Sequence, residues 1–99
     1  MPAYVISTVK IEDESAVKNY RKLAEASIDE FGGKYLVRGA DAEVVEGEQT
    51  DRKIVLVEFP SIEKAQQWYA SSAYAKALQF RDKALTRQLI FVDGVAPFS

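Results

Sequence analysis

The chain predicts one α+β domain of order β-α-β-β-α-β, with a four-stranded antiparallel sheet carrying its helices on one face. Three observations predict it. Lys53-Ile54-Val55-Leu56-Val57-Glu58-Phe59 is apolar at five of seven positions without alternating, which marks a strand covered on both sides. A long helical stripe precedes that strand and a shorter one follows it. Two further runs rich in β-branched and aromatic residues stand at either end of the 99-residue chain, a length that suits a single domain.

Tyr4 to Ile11 reads as the first strand. Asp13 can cap the following helix, with Glu12 and Glu14 adding negative charge at its N-terminus. Val17, Tyr20, Leu23, Ala24, Ile28 and Phe31 then recur at three- and four-residue steps as one apolar stripe. Gly32-Gly33 ends that helix, because glycine accepts the left-handed conformation of a helix C-cap. Lys34 to Arg38 is the second strand, bent or bulged at Gly39, and Ala42 to Glu46 is expected to continue it. Gly47 to Asp51 is a hairpin loop into the central strand.

Pro60 halts sheet pairing there and Ser61 is a helix N-cap. Ala65, Trp68 and Tyr69 give a short helical stripe, weakened at Ser71-Ser72. A second helical piece runs from Ala73 to Ala84, with Tyr74, Ala77, Leu78 and Arg81 on one side. Thr86 to Asp93 is the last strand, and Leu89-Ile90-Phe91-Val92 is apolar on both faces. The domain is expected to fill residues 1–95, with 96–99 as a tail.

Right-handed crossovers put the first and third strands in the centre and both helices on one side. The other face of the sheet then needs a cover. A second copy of the same sheet, related by a two-fold axis, is the expected one. Strand ends and the tail covering it within one chain is the alternative.

Composition removes several classes of function. The chain is 47% hydrophobic and 28% charged, with a net charge of −2, so it lacks the basic excess of a non-specific nucleic-acid binder. No apolar run approaches the roughly 20 residues of a membrane span and no signal-like leader opens the chain, so a cytoplasmic protein is expected. There is no cysteine and no histidine. That excludes disulfides, thiolate nucleophiles, Ser-His-Asp triads and imidazole-held metal or haem. Acid–base chemistry would fall to Asp, Glu, Lys, Tyr or a cofactor, and no resident cofactor or metal is expected.

Phe31-Gly32-Gly33-Lys34-Tyr35-Leu36-Val37-Arg38-Gly39 resembles the Tyr/Phe-Gly-Gly…Leu-Val-Arg-Gly block of domain-of-unknown-function family 1330. The likeness continues through Val45-Glu46-Gly47, Val57-Glu58-Phe59-Pro60-Ser61, Trp68-Tyr69 with Ser71 and Tyr74, and Val92-Asp93-Gly94. Taken in order, these blocks span nearly the whole chain. The resemblance implies a ferredoxin-like fold and a dimeric α+β barrel, in which two sheets pack face to face. That superfamily includes cofactor-free oxygenases, isomerase-like enzymes, haem-dependent members and proteins without assigned activity, so the resemblance implies no particular active site.

Arg38 and Glu58 are the candidate catalytic residues. If Phe59 faces the helices, Glu58 shares the other face with Ile54 and Leu56, where partial desolvation would raise its pKa and suit a general base. A neighbouring Arg38 could stabilise an enolate or carboxylate; a structural ion pair, or strand-end charges reaching solvent, accounts for the same residues. Trp68, Tyr69 and Tyr74, with Arg81 beyond, could frame an aromatic ligand pocket, although helix-to-sheet core is the commoner role for such residues. Tyr20 and Tyr35 carry the same ambiguity. Asn19 could orient a ligand or simply be solvated. The acidic residues between Glu43 and Asp51 lack calcium-loop spacing. Two functions follow: a homodimer that binds a small apolar or carboxylate-bearing molecule, extending to cofactor-independent monooxygenase- or isomerase-like chemistry, or a non-catalytic accessory dimer.

Overall fold

A computed structural model describes residues 1–95, so the expected tail at 96–99 lies outside the described residues. The elements run β1 (Ala3–Ile11), α1 (Glu14–Glu30), β2 (Lys34–Asp41), β3 (Lys53–Phe59), α2 (Ile62–Tyr69), α3 (Ser72–Ala84) and β4 (Leu85–Asp93). All strand pairs are antiparallel, in the order β2-β3-β1-β4. The first and third strands are therefore central, as the crossover rule requires. The fold is ferredoxin-like.

Each helix starts at a side-chain cap. Asp13 accepts from the Ala16 amide at 3.1 Å, and Ser61 from the Lys64 amide at 3.2 Å. Ser71 does more than interrupt a stripe. Its hydroxyl donates to the Trp68 carbonyl at 2.6 Å and accepts from the Tyr74 amide at 3.1 Å, closing α2 and opening α3 at one residue. Such a cap is worth about 1 kcal/mol. Gly32, at φ +79°, closes α1. Gly33 leaves no room for a side chain, since a Cβ there would lie 2.5 Å from Ile28 and 2.9 Å from Phe59.

The core fills the side of the sheet that carries the helices. Ala3, Val5 and Val9 of β1, with Val57 and Phe59 of β3, pack beneath Val17, Tyr20, Ala24 and Ile28 of α1 and beneath Ala65, Trp68, Tyr74 and Ala77. Among the described residues, no layer of the same chain lies over the opposite face. Its residues alternate with those just named: Tyr4, Ile6 and Thr8 of β1, Ile54, Leu56 and Glu58 of β3, and Ile90 and Val92 of β4. Leu36, Ile90 and Val92 are 46%, 44% and 40% exposed. The apolar, non-alternating character of β3 thus has a helical cover on one side only.

The expected continuation of β2 through Ala42–Glu46 does not form: β2 ends at Asp41, and residues 42–52 have no regular structure. Two bulges shorten and bend the strand. One falls between Tyr35 and Val37, the other between Arg38 and Ala40, where Gly39 sits at φ +79°. Each bulge inserts one residue and so changes which face the next residue occupies.

Candidate functional site

A cavity of about 430 Å³ opens between α1 and the helix side of the sheet. Its floor is Val5, Ser7 and Val9 of β1 with Val55 and Val57 of β3, and α1 roofs it with Val17, Tyr20, Ala24 and Ile28. Trp68 closes one wall. Polar groups sit in the floor and at the ends: Ser7 and Lys53 in the floor, Tyr35 and Arg38 from β2 under Arg21 and Glu25 of α1, and Tyr20 with Arg87 on the β4 side. Protein interiors are close-packed, so space on this scale in a helix–sheet layer is not an ordinary packing defect.

The two ends are built differently. Arg38 pairs with Val55 in the β2–β3 ladder and Arg87 with Val9 in the β1–β4 ladder, so they stand on opposite edge strands, roughly 14 Å apart at three strand spacings. Arg38 bonds Glu25 at 2.7 Å and lies 4.4 Å from the Tyr35 ring centroid. Its side chain is 65% exposed. Burial, with the Glu25 carboxylate adding to it, pushes the Tyr35 phenol up to about 12.

At the other end Arg87 donates through Nη1 to the Tyr20 hydroxyl and through Nη2 to the Tyr74 hydroxyl. The two hydroxyls are themselves hydrogen-bonded at 2.7 Å. Tyr74 is 0% exposed and Tyr20 7%. Burial pushes the Tyr74 phenol far above its ordinary value, reinforced by Tyr20, so Tyr74 keeps its proton. Burial opposes the Arg87 cation, but the two tyrosine oxygens outweigh it and its pKa is raised.

Between the ends, α1 and α2 are tied by Trp68, whose indole Nε1 donates to the buried Ser27 hydroxyl at 3.0 Å, while Ser27 donates to the Ala24 carbonyl at 2.8 Å. Lys53, in the floor, pairs with Asp41. Among the described residues, no three carboxylates gather where they could hold a metal ion.

The residues singled out from sequence are only partly brought together. Arg38 and Glu58 do not meet. The bulge at Leu36 turns Arg38 to the helix side, whereas Glu58, between the buried Val57 and Phe59, faces the other way across from Tyr4 and Lys34. Trp68, Tyr69 and Tyr74 do stack, with centroids 4.3 Å apart for Trp68–Tyr74 and 5.6 Å for Tyr69–Tyr74. Trp68 and Tyr74 are buried in the core, whereas Tyr69 is 37% exposed, and the three do not wall one pocket. Trp68 lines the cavity under α1, Tyr74 lines neither cavity, and Tyr69 and Arg81 border a second, more open groove of similar volume along α3 and β4. Arg81 is paired with Asp82 at 3.2 Å. Asn19 is exposed and lines neither cavity. Arg87 went unnoticed in the sequence. The one signal for it was a lone charge inside the apolar last strand, on the same face as Leu89 and Phe91.

Comparison with known proteins agrees with this architecture. A Rhodopseudomonas palustris protein of unknown function superposes with a TM-score of 0.76 at 19% identity, over 97% of this chain and 84% of that one. A Nitrosomonas europaea protein provisionally described as an antibiotic biosynthesis monooxygenase gives 0.64 at 15% identity, over 97% and 92%. A Bacteroides fragilis protein of unknown function, described as dimeric and ferredoxin-like, gives 0.62 at 10% identity, over 94% and 96%. These likenesses concern the fold. Among curated proteins nothing matches the chain. The family profile of the domain of unknown function DUF1330 matches residues 2–95, and the chain belongs to that family.

Proposed function

We propose that this protein is a homodimer that binds a small, largely apolar molecule bearing an acidic oxygen in the cavity between α1 and the sheet. The observation that carries this reading is the cavity itself: about 430 Å³ of space whose apolar walls are Val, Ile, Leu and Ala side chains, with polar groups at its ends and in its floor. That size and balance are those of a small-ligand site. Trp68 is its aromatic wall, and Arg38 an exposed cation at its mouth.

The dimer reading rests on the sheet face that the described residues leave uncovered. Ile6, Ile54 and Leu56 are only half-buried and Leu36, Ile90 and Val92 are exposed, a contiguous apolar surface of the kind that marks association. The Bacteroides fragilis protein of the same fold is described as dimeric. Glu58 would then lie between the two sheets. A cytoplasmic location belongs to the same reading, supported by the absence of cysteine; no helix among the described residues is long and apolar enough to cross a membrane.

A thermal-shift series with benzoate, 4-hydroxybenzoate and substituted phenols tests the cavity. At 100 times its Kd a ligand stabilises by about 2.7 kcal/mol. Wild type should be stabilised by at least one of them, and Ser7→Leu, which fills the floor, should not. Stabilisation that survives in Ser7→Leu places the ligand elsewhere, and no shift with any of them removes the ligand reading. For the dimer, wild type at micromolar concentration should sediment at twice 11.1 kDa, and Leu56→Asp should not. A wild-type particle of 11.1 kDa would end the dimer reading.

A further inference from the structure

We infer that Tyr20, backed by Arg87 and Tyr74, is a docking point for a single oxyanion, the phenolate or enolate oxygen of a small planar ligand. This rests on the cavity being a ligand site, and it names the group that site recognises.

Four cations line the cavity. Arg38 has Glu25 at 2.7 Å, Lys53 has Asp41, and Arg21 is exposed to solvent. Arg87 is half-buried and, among the described residues, has no carboxylate within 4.0 Å; its partners are two neutral phenols. Withdrawing a cation from water without an anion is unfavourable, and an anionic ligand would supply what the fold does not. The neighbouring groove offers Asp82, but that carboxylate is engaged by Arg81.

Arg87 only donates, and it donates to both hydroxyl oxygens. The Tyr20–Tyr74 contact uses one of the two phenol protons. One proton is left over. Tyr74 is wholly enclosed and lines neither cavity, whereas Tyr20 lines the one under α1. The geometry therefore has Tyr74 donating to Tyr20, and Tyr20 donating its own proton into the cavity. An oxygen that accepts from both a guanidinium and a phenol is a stronger donor in turn.

Each terminal nitrogen of Arg87 spends one N–H on a tyrosine, so what this cluster aims into the cavity is a single hydroxyl and not the two-pronged grip that selects a carboxylate. One O–H with a cation behind it suits one oxygen. The walls beside it, Val9, Val17 and Leu89, suit a ring.

The test compares 4-nitrophenolate, 4-nitrobenzoate and the uncharged nitrobenzene as ligands, by calorimetric titration at a pH where 4-nitrophenol is ionised. Wild type should prefer 4-nitrophenolate to nitrobenzene by at least about tenfold, the scale of one charge-assisted hydrogen bond, and to 4-nitrobenzoate as well. Tyr20→Phe and Arg87→Met should each abolish the preference while still binding nitrobenzene, which shows the cavity to be intact. Tyr74→Phe should reduce it less, since Arg87 still faces Tyr20. Equal binding of phenolate and nitrobenzene by wild type, or a preference that survives in Tyr20→Phe, overturns the oxyanion site and leaves the cavity reading standing. Preference for 4-nitrobenzoate overturns the single-oxygen geometry. If none of the three binds, the cavity reading fails and this inference fails with it.

Discussion

The two ends of the cavity hold the same chemical parts in opposite settings. At the β2 edge an arginine, a tyrosine and a carboxylate meet near solvent: Arg38 is 65% exposed and its charge is balanced by Glu25. At the β4 edge an arginine meets two tyrosines under a helix, with no carboxylate among the described residues to balance it. Exposure decides what each arrangement is worth. An ion pair in water stabilises by a fraction of a kcal/mol, because solvent competes for both charges. A guanidinium half-withdrawn from water and bonded to buried hydroxyls fixes three side chains from α1, α3 and β4 in one geometry. The first end is a surface feature that tolerates change; the second is preorganised and should not.

The largest difference should appear when a ring is removed from each end. Tyr74→Ala, at a position with no exposure, should cost about 3–5 kcal/mol. Tyr35→Ala, half-buried at the other end, should cost about 1–2 kcal/mol. Denaturant midpoints of the two variants check this, and equal losses would erase the contrast in burial.

Alkaline pH should act on both ends. Burial raises both phenol pKa values, so each stabilising contribution is complete below the ordinary tyrosine value of 10.0. It is lost as pH rises, through about 12 for Tyr35 and beyond for Tyr74. Unfolding free energy measured from pH 10 to 12 should fall steadily. Tyr35→Phe and Tyr74→Phe should each remove about half of that slope. A flat profile in wild type would mean that neither hydroxyl is as enclosed as described.

The smallest effect belongs to the exposed ion pair. A double-mutant cycle with Arg38→Ala and Glu25→Ala should give a coupling of about 0.2–1 kcal/mol, shrinking with added salt. A salt-insensitive coupling above about 2 kcal/mol would make the β2 edge as enclosed as the β4 edge and dissolve the comparison.

The fold was legible because its signals are local. The stripe from Val17 to Ile28, the caps at Asp13 and Ser61, the glycines after Phe31 and the continuous run in β3 each report on a few neighbouring residues. The candidate site was legible in part. Trp68 and Arg38 do line the cavity, and Tyr74 does belong to the polar cluster, but through its hydroxyl and not as a wall. Tyr20 looked like core from its place on the stripe, and by burial it is core. Its hydroxyl becomes a site only because β4 brings Arg87 to it, 67 residues further along the chain.

The same division holds for Arg38 and Glu58. Residue types and their periodicity determined the order of elements, the handed crossovers, the side of the sheet that the helices cover and the apolar face left open. Side-chain direction along a strand has period two, so a single inserted residue reverses it. The bulge at Leu36 does that to Arg38, and nothing in Tyr35-Leu36-Val37-Arg38 announces it, because the bulge is set by how β2 pairs with β3. Which charge faces the cavity, and which phenol holds a spare proton, is a property of strands in register. Only the assembled sheet could decide it.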